Sequence, residues 1–254
     1  MRANPQNIVN LLLKKGRALQ RAPRQLVRFT GLPEADQLLN DLSGHPHAFV
    51  LACVMDRQIK AEKAWVIPYR FQEALETFEF RRLQKLTLRE IFSLMTRPVK
   101  LHRYPKEMSR NFYEAVQLIA TRYGGDAAAI WANRPSSAEV VHRMLGFRGV
   151  GPKIATMTAN ILARDFKIPL RDYYSIDISV DVQVRRVFSR LRLIDDGESI
   201  DRVIYLARAL SPEYPGVLDF PTWEIGRKWC RPTSPDCATC YMNAVCPTGQ
   251  AALT

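Results

Sequence analysis

Apolar residues recur along this chain at helical spacing, and strand-like alternation is scarce. Ile8, Leu11, Leu12 and Leu19 mark one face of an N-terminal helix, which ends in a stretch punctuated by Pro23 and by the turn-forming residues 31–33. Residues 34–42 predict a short helix, broken at 44–46. Residues 48–55 and 59–65 predict two apolar helical segments around the polar Asp56, Arg57 and Gln58. The pattern continues through 71–78, 88–95 and 112–123. Gly124 and Gly125 stop the last of these, and Asp126 is placed to cap the next helix. No repeat or low-complexity tract interrupts the series, so the expected class is all-α.

Two later segments carry more specific signals. Ser136 and Glu139 form a capping-box pair ahead of Val140, Val141, Met144 and Leu145. That helix runs into Gly146-Phe147-Arg148-Gly149-Val150-Gly151 and restarts at Pro152, a residue suited to a first helical position. Ile154, Met157, Thr158, Ile161 and Leu162 then face inward. Backbone N–H groups at such a helix start suit a DNA phosphate and give a grip independent of sequence. Lys153 stands in the first turn, where the helix dipole disfavours a cation and so favours an uncharged, nucleophilic amine. The bland alternative is a solvated or phosphate-contacting lysine. Further on, Val184, Val187, Phe188 and Leu191 predict a helix with Asp181 at its N-cap. A carboxylate held there by backbone donors also points outward in a fixed geometry, so capping and catalysis are compatible.

Charge and composition narrow the picture. The 254 residues are 47% apolar, enough for one large or two small domains, and the net charge is +12. Arg2, Lys14, Lys15, Arg17, Arg21, Arg24 and Arg28 all precede the first acidic residue, Glu34. A transit peptide has that composition too, but the apolar spacing favours a basic helix. The excess favours a polyanionic partner, with nucleic acid the first expectation. No apolar run is long enough to cross a bilayer, and there is no secretory signal, so a cytoplasmic chain with no membrane partner is expected.

Four of the five cysteines lie close together near the C-terminus: Cys230, Cys237, Cys240 and Cys246, separated by six, two and five residues. A disulfide framework belongs to short secreted chains. The cysteines therefore predict a metal site, either an iron-sulfur cluster or structural zinc, with unmetallated thiols as the remaining option. Cys53 lies in an apolar helical segment and reads as core, and His45, His47, His102 and His142 show no ligand spacing with the cysteines.

Gly149-Val150-Gly151-Pro152-Lys153 with Ile154-Ala155, then Val180-Asp181 with Val184 and Arg186-Val187, then Gly226-Arg227 ahead of the cysteine loop, together resemble the endonuclease III-like helix-hairpin-helix DNA glycosylases. The resemblance spans roughly residues 46–247. It implies a 4Fe-4S cluster on the four cysteines and two helical domains flanking a DNA-binding cleft. One would be a helical barrel over 46–170. The other would be a cluster domain built from 1–45 and 171–254. It implies a monomer that flips a damaged nucleotide out of double-stranded DNA and cuts its glycosidic bond. Lys153 would attack C1' of the sugar, form a Schiff base and permit strand cleavage at the abasic site. Asp181 would stabilise the charge that grows on the sugar. Asp177 is the competing carboxylate, but Asp181 matches the motif.

The same resemblance assigns DNA contacts to Arg148, Gly149, Gly151, Arg227, Lys228 and Arg231. Residues 54–59 correspond to the family's DNA wedge, where relatives carry glutamines. Here Met55 or Arg57 would fill the gap in the base stack, with Gln58 beside them. The link from Lys153 to Asp181 is longer than usual, adding Arg171, Asp172, Tyr173 and Tyr174, and the two tyrosines either stack on a base in the substrate pocket or pack. The expected target is an oxidised pyrimidine, with deaminated bases and oxidised purines behind it. The competing functions are a monofunctional glycosylase, in which Asp181 activates water, and a non-catalytic DNA-binding iron-sulfur protein.

Overall fold

The computed structural model describes residues 5–253, with side chains through 251; Arg2 and the outermost ends of the expected 1–45 and 171–254 segments lie outside it. The helices are α1 (Pro5–Arg21), α2 (Pro33–Asn40), α3 (Pro46–Met55), α4 (Ala61–Trp65), α5 (Ile67–Leu75), α6 (Phe80–Gln84), α7 (Leu88–Thr96), α8 (Pro105–Arg122), α9 (Ser137–Leu145), α10 (Pro152–Arg164), α11 (Val182–Arg190), α12 (Ile200–Leu210), α13 (Asp219–Lys228) and α14 (Pro247–Leu253). Two 3-10 turns, Ala127–Ile130 and Pro215–Leu218, complete an all-helical fold, with no strand among the described residues.

Helix α3 is apolar all round because it is buried all round: each of its ten residues is in the core. It packs against α2, α4, α5, α8, α10 and the turn at Ala127–Ile130, while α7 lies on α8 and α9 on α10. A second set forms around α13, which packs on α11, α1 and the turn at Pro215–Leu218, with α12 also on that turn. Gly16 lets α1 approach closely, since a Cβ there would sit 2.1 Å from the carbonyl oxygen of Val217. Helix α1 also touches α10, and so joins the two sets.

Some elements depart from the sequence expectation for identifiable reasons. Helix α2 falls in the sequence segment assigned to the cluster domain, yet it packs on α3 and α5. The chain leading to it does the same, since Phe29 stacks on Trp65 with ring centroids 4.5 Å apart. Helices α5 and α8 start earlier than their apolar periodicity, each opened by a proline in its first turn, Pro68 and Pro105. Helix α6, with only Leu83 buried, went unforeseen because its apolar face is short, while α12 carries apolar residues at 200, 203, 204, 207 and 210 at clear helical spacing. Two capping signals are realised: Asp126 accepts from Ala128 N at 2.8 Å, and the Ser136–Glu139 box is closed in both directions.

Candidate functional site

The hairpin between α9 and α10 is built from its caps inward. Ser136 N and Oγ donate to Glu139 Oε2 at 2.7 and 2.9 Å, while Glu139 N donates to Ser136 Oγ at 3.2 Å. The Ser136 backbone and hydroxyl donors, with the Arg171 guanidinium, bring the Glu139 carboxyl down to about 2. Gly149 turns the chain at φ 83°, and a Cβ on it would fall 2.5 Å from Asn111 Nδ2 and 2.9 Å from Arg57 Nη1. Gly151 is the N-cap of α10 with no side-chain cap, and a Cβ there would meet open space. The N–H groups of Lys153 and Ile154 thus open a helix without intrahelical partners. The Lys153 side chain is exposed.

Asp181 caps α11 as its position predicts, accepting from Gln183 N at 2.8 Å and Val184 N at 2.9 Å. The segment before it is fastened to α10, with Ser179 Oγ 3.4 Å from Thr156 Oγ1. Lys153 and Asp181 come together, and both act electrostatically on two further carboxylates, Asp56 and Asp219. Burial raises the Asp56 carboxyl, opposed by the Lys153 ammonium and by a hydrogen bond to Trp65. Asp56 is the residue that sequence reasoning missed. Its signal was a lone acid between two apolar helices, which reads equally well as an exposed turn. Asp177 is excluded from the pair, because Arg208 holds it in a two-pronged ion pair at 2.7 and 2.8 Å.

The expected wedge needs correction. Met55 is the last residue of α3 and fully buried, so it cannot enter a base stack. Arg57 does not pair with Asp56; its Nη1 bonds Glu107 Oε1 at 2.9 Å, beside Gly149. The exposed tip of the turn is Gln58, in the left-handed region at φ 53°. Among the other expected contacts, Arg148 is half-exposed with Glu114 3.9 Å away, Lys228 pairs with Glu224 at 2.6 Å, and Arg231 is exposed. Arg227 pairs with Glu62 on α4 and lies over the Trp223 ring at 5.2 Å. The added residues 171–174 are pinned to the start of α9. Arg171 bonds Glu139 at 2.5 Å, and Asp172 accepts from Ser137 Oγ at 2.5 Å. Tyr173 packs on the buried Tyr214, with centroids 5.0 Å apart, and Tyr174 is 62% exposed.

Cys230, Cys237, Cys240 and Cys246 line one small cavity of about 30 Å³, walled by Val187, Leu191, Ile225, Trp229 and Met242. Among the described residues no group of three or more His, Cys, Asp or Glu is close enough to hold a metal ion. The sulfurs receive donors: Gly249 N to Cys246 Sγ at 3.3 Å and Arg190 Nη1 to Cys230 Sγ at 3.4 Å. Arg190 also bonds the carbonyls of Arg231 and Pro232, and Arg186 those of Cys230 and Gly226, which locks the loop onto α11. Cys53 is buried, with burial pushing its thiol up, as suits a core residue. Among the described residues no helix is long and apolar enough to cross a membrane.

No protein-family model matches the chain. A trapped endonuclease III–DNA covalent intermediate superposes at a TM-score of 0.63 and 19% identity, over 99% of each chain. The chain has the endonuclease III fold. A thermostable thymine-DNA glycosylase matches that fold at a TM-score of 0.64 and 16% identity, over 97% of this chain and 98% of the other. The Clostridium acetobutylicum 8-oxoguanine glycosylase/lyase, bound to DNA with cytosine opposite 8-oxoguanine, matches at 0.54 and 15% identity, over 87% and 69%. At these identities the likeness is one of fold; in this chain α9 packs on α10, and the segment ahead of α11 meets α10 through Ser179 and Thr156.

Proposed function

We propose that this protein is a base-excision repair DNA glycosylase with AP lyase activity, working as a monomer on double-stranded DNA that carries a damaged base or an abasic site. The observation that carries the reading is the Thr156–Ser179 contact, which brings the start of α10, with Lys153, to the segment that ends at Asp181, beside an open glycine hairpin. Solved DNA complexes of glycosylases with this fold support it. The two domains would meet across the DNA cleft, the barrel formed by α2–α10 and the cluster domain by α1 with α11–α14.

Lys153 Nζ would bond to C1' as the bond to the base breaks, and the departing base would take up the proton that Lys153 releases. Asp56, its carboxylate partly withdrawn from water, would accept the proton that Lys153 gives up and pass it to the departing base. Asp181, fixed by its two backbone donors, would face the positive charge developing on the sugar. Breaking of the C1'–O4' bond, with a proton passing from the nitrogen to O4', would give the Schiff base, and loss of a C2' proton would then expel the 3' phosphate and nick the strand. Gly149 and Gly151, with Arg148, would grip the backbone, and Gln58 would fill the vacated position in the stack.

Cys230, Cys237, Cys240 and Cys246 would hold a 4Fe-4S cluster. The six-two-five spacing of the four cysteines, which line one pocket, supports the cluster over zinc, whose sites more often pair two Cys-x-x-Cys knuckles across a longer spacer. Bound there, the cluster supplies structure, fixing the loop of Arg231 beside α11. Borohydride treatment of the protein with an abasic-site duplex is expected to yield a covalent adduct. Base release without an adduct would establish the monofunctional alternative, and salt-sensitive binding with no product from any lesion would refute both.

A further inference from the structure

Behind Lys153 and Asp181 lies a buried carboxylate to which the chemistry above gives no role. Asp219 opens α13, is 9% exposed, and accepts the N–H of Ser179 at 2.7 Å. Ser179 is buried and lies two residues ahead of Asp181. Its hydroxyl is 3.4 Å from that of Thr156, which is one turn beyond Lys153 on α10. One side chain from α13 therefore anchors the point where the supports of Lys153 and Asp181 meet.

The charges around Asp219 come from several elements. Arg164, buried near the end of α10, faces it with its guanidinium 4.4 Å over the Phe220 ring and paired with Asp165 at 2.6 Å. Lys153 and Asp181 act on it from the site, and the phenol of Tyr214 from the turn that precedes α13. Burial outweighs the cations and the Ser179 donor, and raises the carboxyl to about 6 from an ordinary 3.8. An apolar residue would fill this position at less expense to folding.

We propose that Asp219 is a positioning residue for the Lys153–Asp181 pair, its anionic carboxylate gripping the Ser179 backbone and so fixing Asp181 against the start of α10. The inference rests on the glycosylase and lyase reading given above. Protonation replaces an anionic acceptor by a neutral one, which loosens the hold on Ser179 and misplaces Asp181.

The test compares the parent with Asp219→Asn, which keeps an acceptor for Ser179 but loses the charge, and Asp219→Ala, which loses both. The rate of borohydride-trapped adduct formation on an abasic duplex, followed from about pH 5 to about pH 8, should rise in the parent through a step at about pH 6. The Asn protein should lack that step and run about tenfold slower at the upper end, and the Ala protein on the order of 100-fold slower, both with native circular dichroism. An Asn protein that keeps the parent's step and rate overturns the proposal. Independently of activity, the Ser179 amide nitrogen resonance should titrate over the same range in the parent and stay fixed in the Asn protein. A Ser179 resonance indifferent to pH in the parent overturns the proposal even where adducts form. A parent that forms no adduct while Ser179 titrates overturns the lyase reading instead.

Discussion

Thr156 Oγ1 and Ser179 Oγ lie 3.4 Å apart, joining α10 near Lys153 to the segment that delivers Asp181. Twenty-three positions separate the two hydroxyls in sequence, and the contact brings a hairpin lysine and a helix-capping aspartate into one electrostatic neighbourhood.

Removing the amine tests the centre of this arrangement. Lys153→Ala should abolish the borohydride-trapped adduct while weakening duplex binding by no more than about tenfold, the loss of one cationic contact. A variant that traps as well as the parent would strip Lys153 of its role.

Capping and chemistry at Asp181 are separable. Asp181→Asn retains an oxygen for the Gln183 and Val184 N–H groups, so the fold should survive while base release falls by at least about 10²-fold. Asp181→Ala should lose the activity and also about 1 kcal/mol of stability in urea unfolding, because the cap goes with it.

Gly149 holds a left-handed backbone against close neighbours. Gly149→Ala should destabilise the protein by roughly 1–2 kcal/mol from the backbone alone, and by more as Asn111 and Arg57 are pushed aside. Thermal unfolding and duplex titration should fall together, since the displaced groups form the hairpin's floor.

Stability should carry the signature of Asp219. Its carboxyl is raised above the ordinary value, so the folded chain holds this proton more tightly than the unfolded chain does. This group's contribution is therefore largest below about pH 4 and is lost as pH rises through about 6, a loss of up to about 3 kcal/mol. Asp219→Asn should flatten that dependence and unfold at a higher temperature than the parent at neutral pH, despite being the slower enzyme. Equal pH slopes for the two proteins would contradict the assignment.

Metal content is the simplest measurement. The purified protein should be brown, absorb at about 400 nm and carry about four irons per chain, and Cys240→Ser should lose colour and thermal stability together. A colourless parent with one zinc would exclude the cluster.

Much of this was legible in the sequence because it depends on neighbours along the chain. Helical periodicity, the Ser136–Glu139 box, the Asp181 cap and the Gly149 turn each involve residues a few positions apart, and backbone geometry fixes their meaning. The cysteine spacing likewise brings the four thiols to the lining of one pocket. Met55 was misjudged because an apolar helix end reads the same whether it closes a core or projects from it. Arg57 was expected to fill the gap in a base stack, but its guanidinium bonds Glu107, fifty positions away.

Sequence alone determined the helical class, the caps, the hairpin and the four clustered thiols, since local sterics and short-range hydrogen bonds settle those. Only the tertiary structure decided which acids share a site: Asp56 and Asp219 join Asp181 near Lys153, while Asp177 is taken by Arg208. The physical reason is that burial and charge pairing depend on what packs across the interior, from α3, α10, α12 and α13, and the order of residues along the chain carries no direct record of those distances.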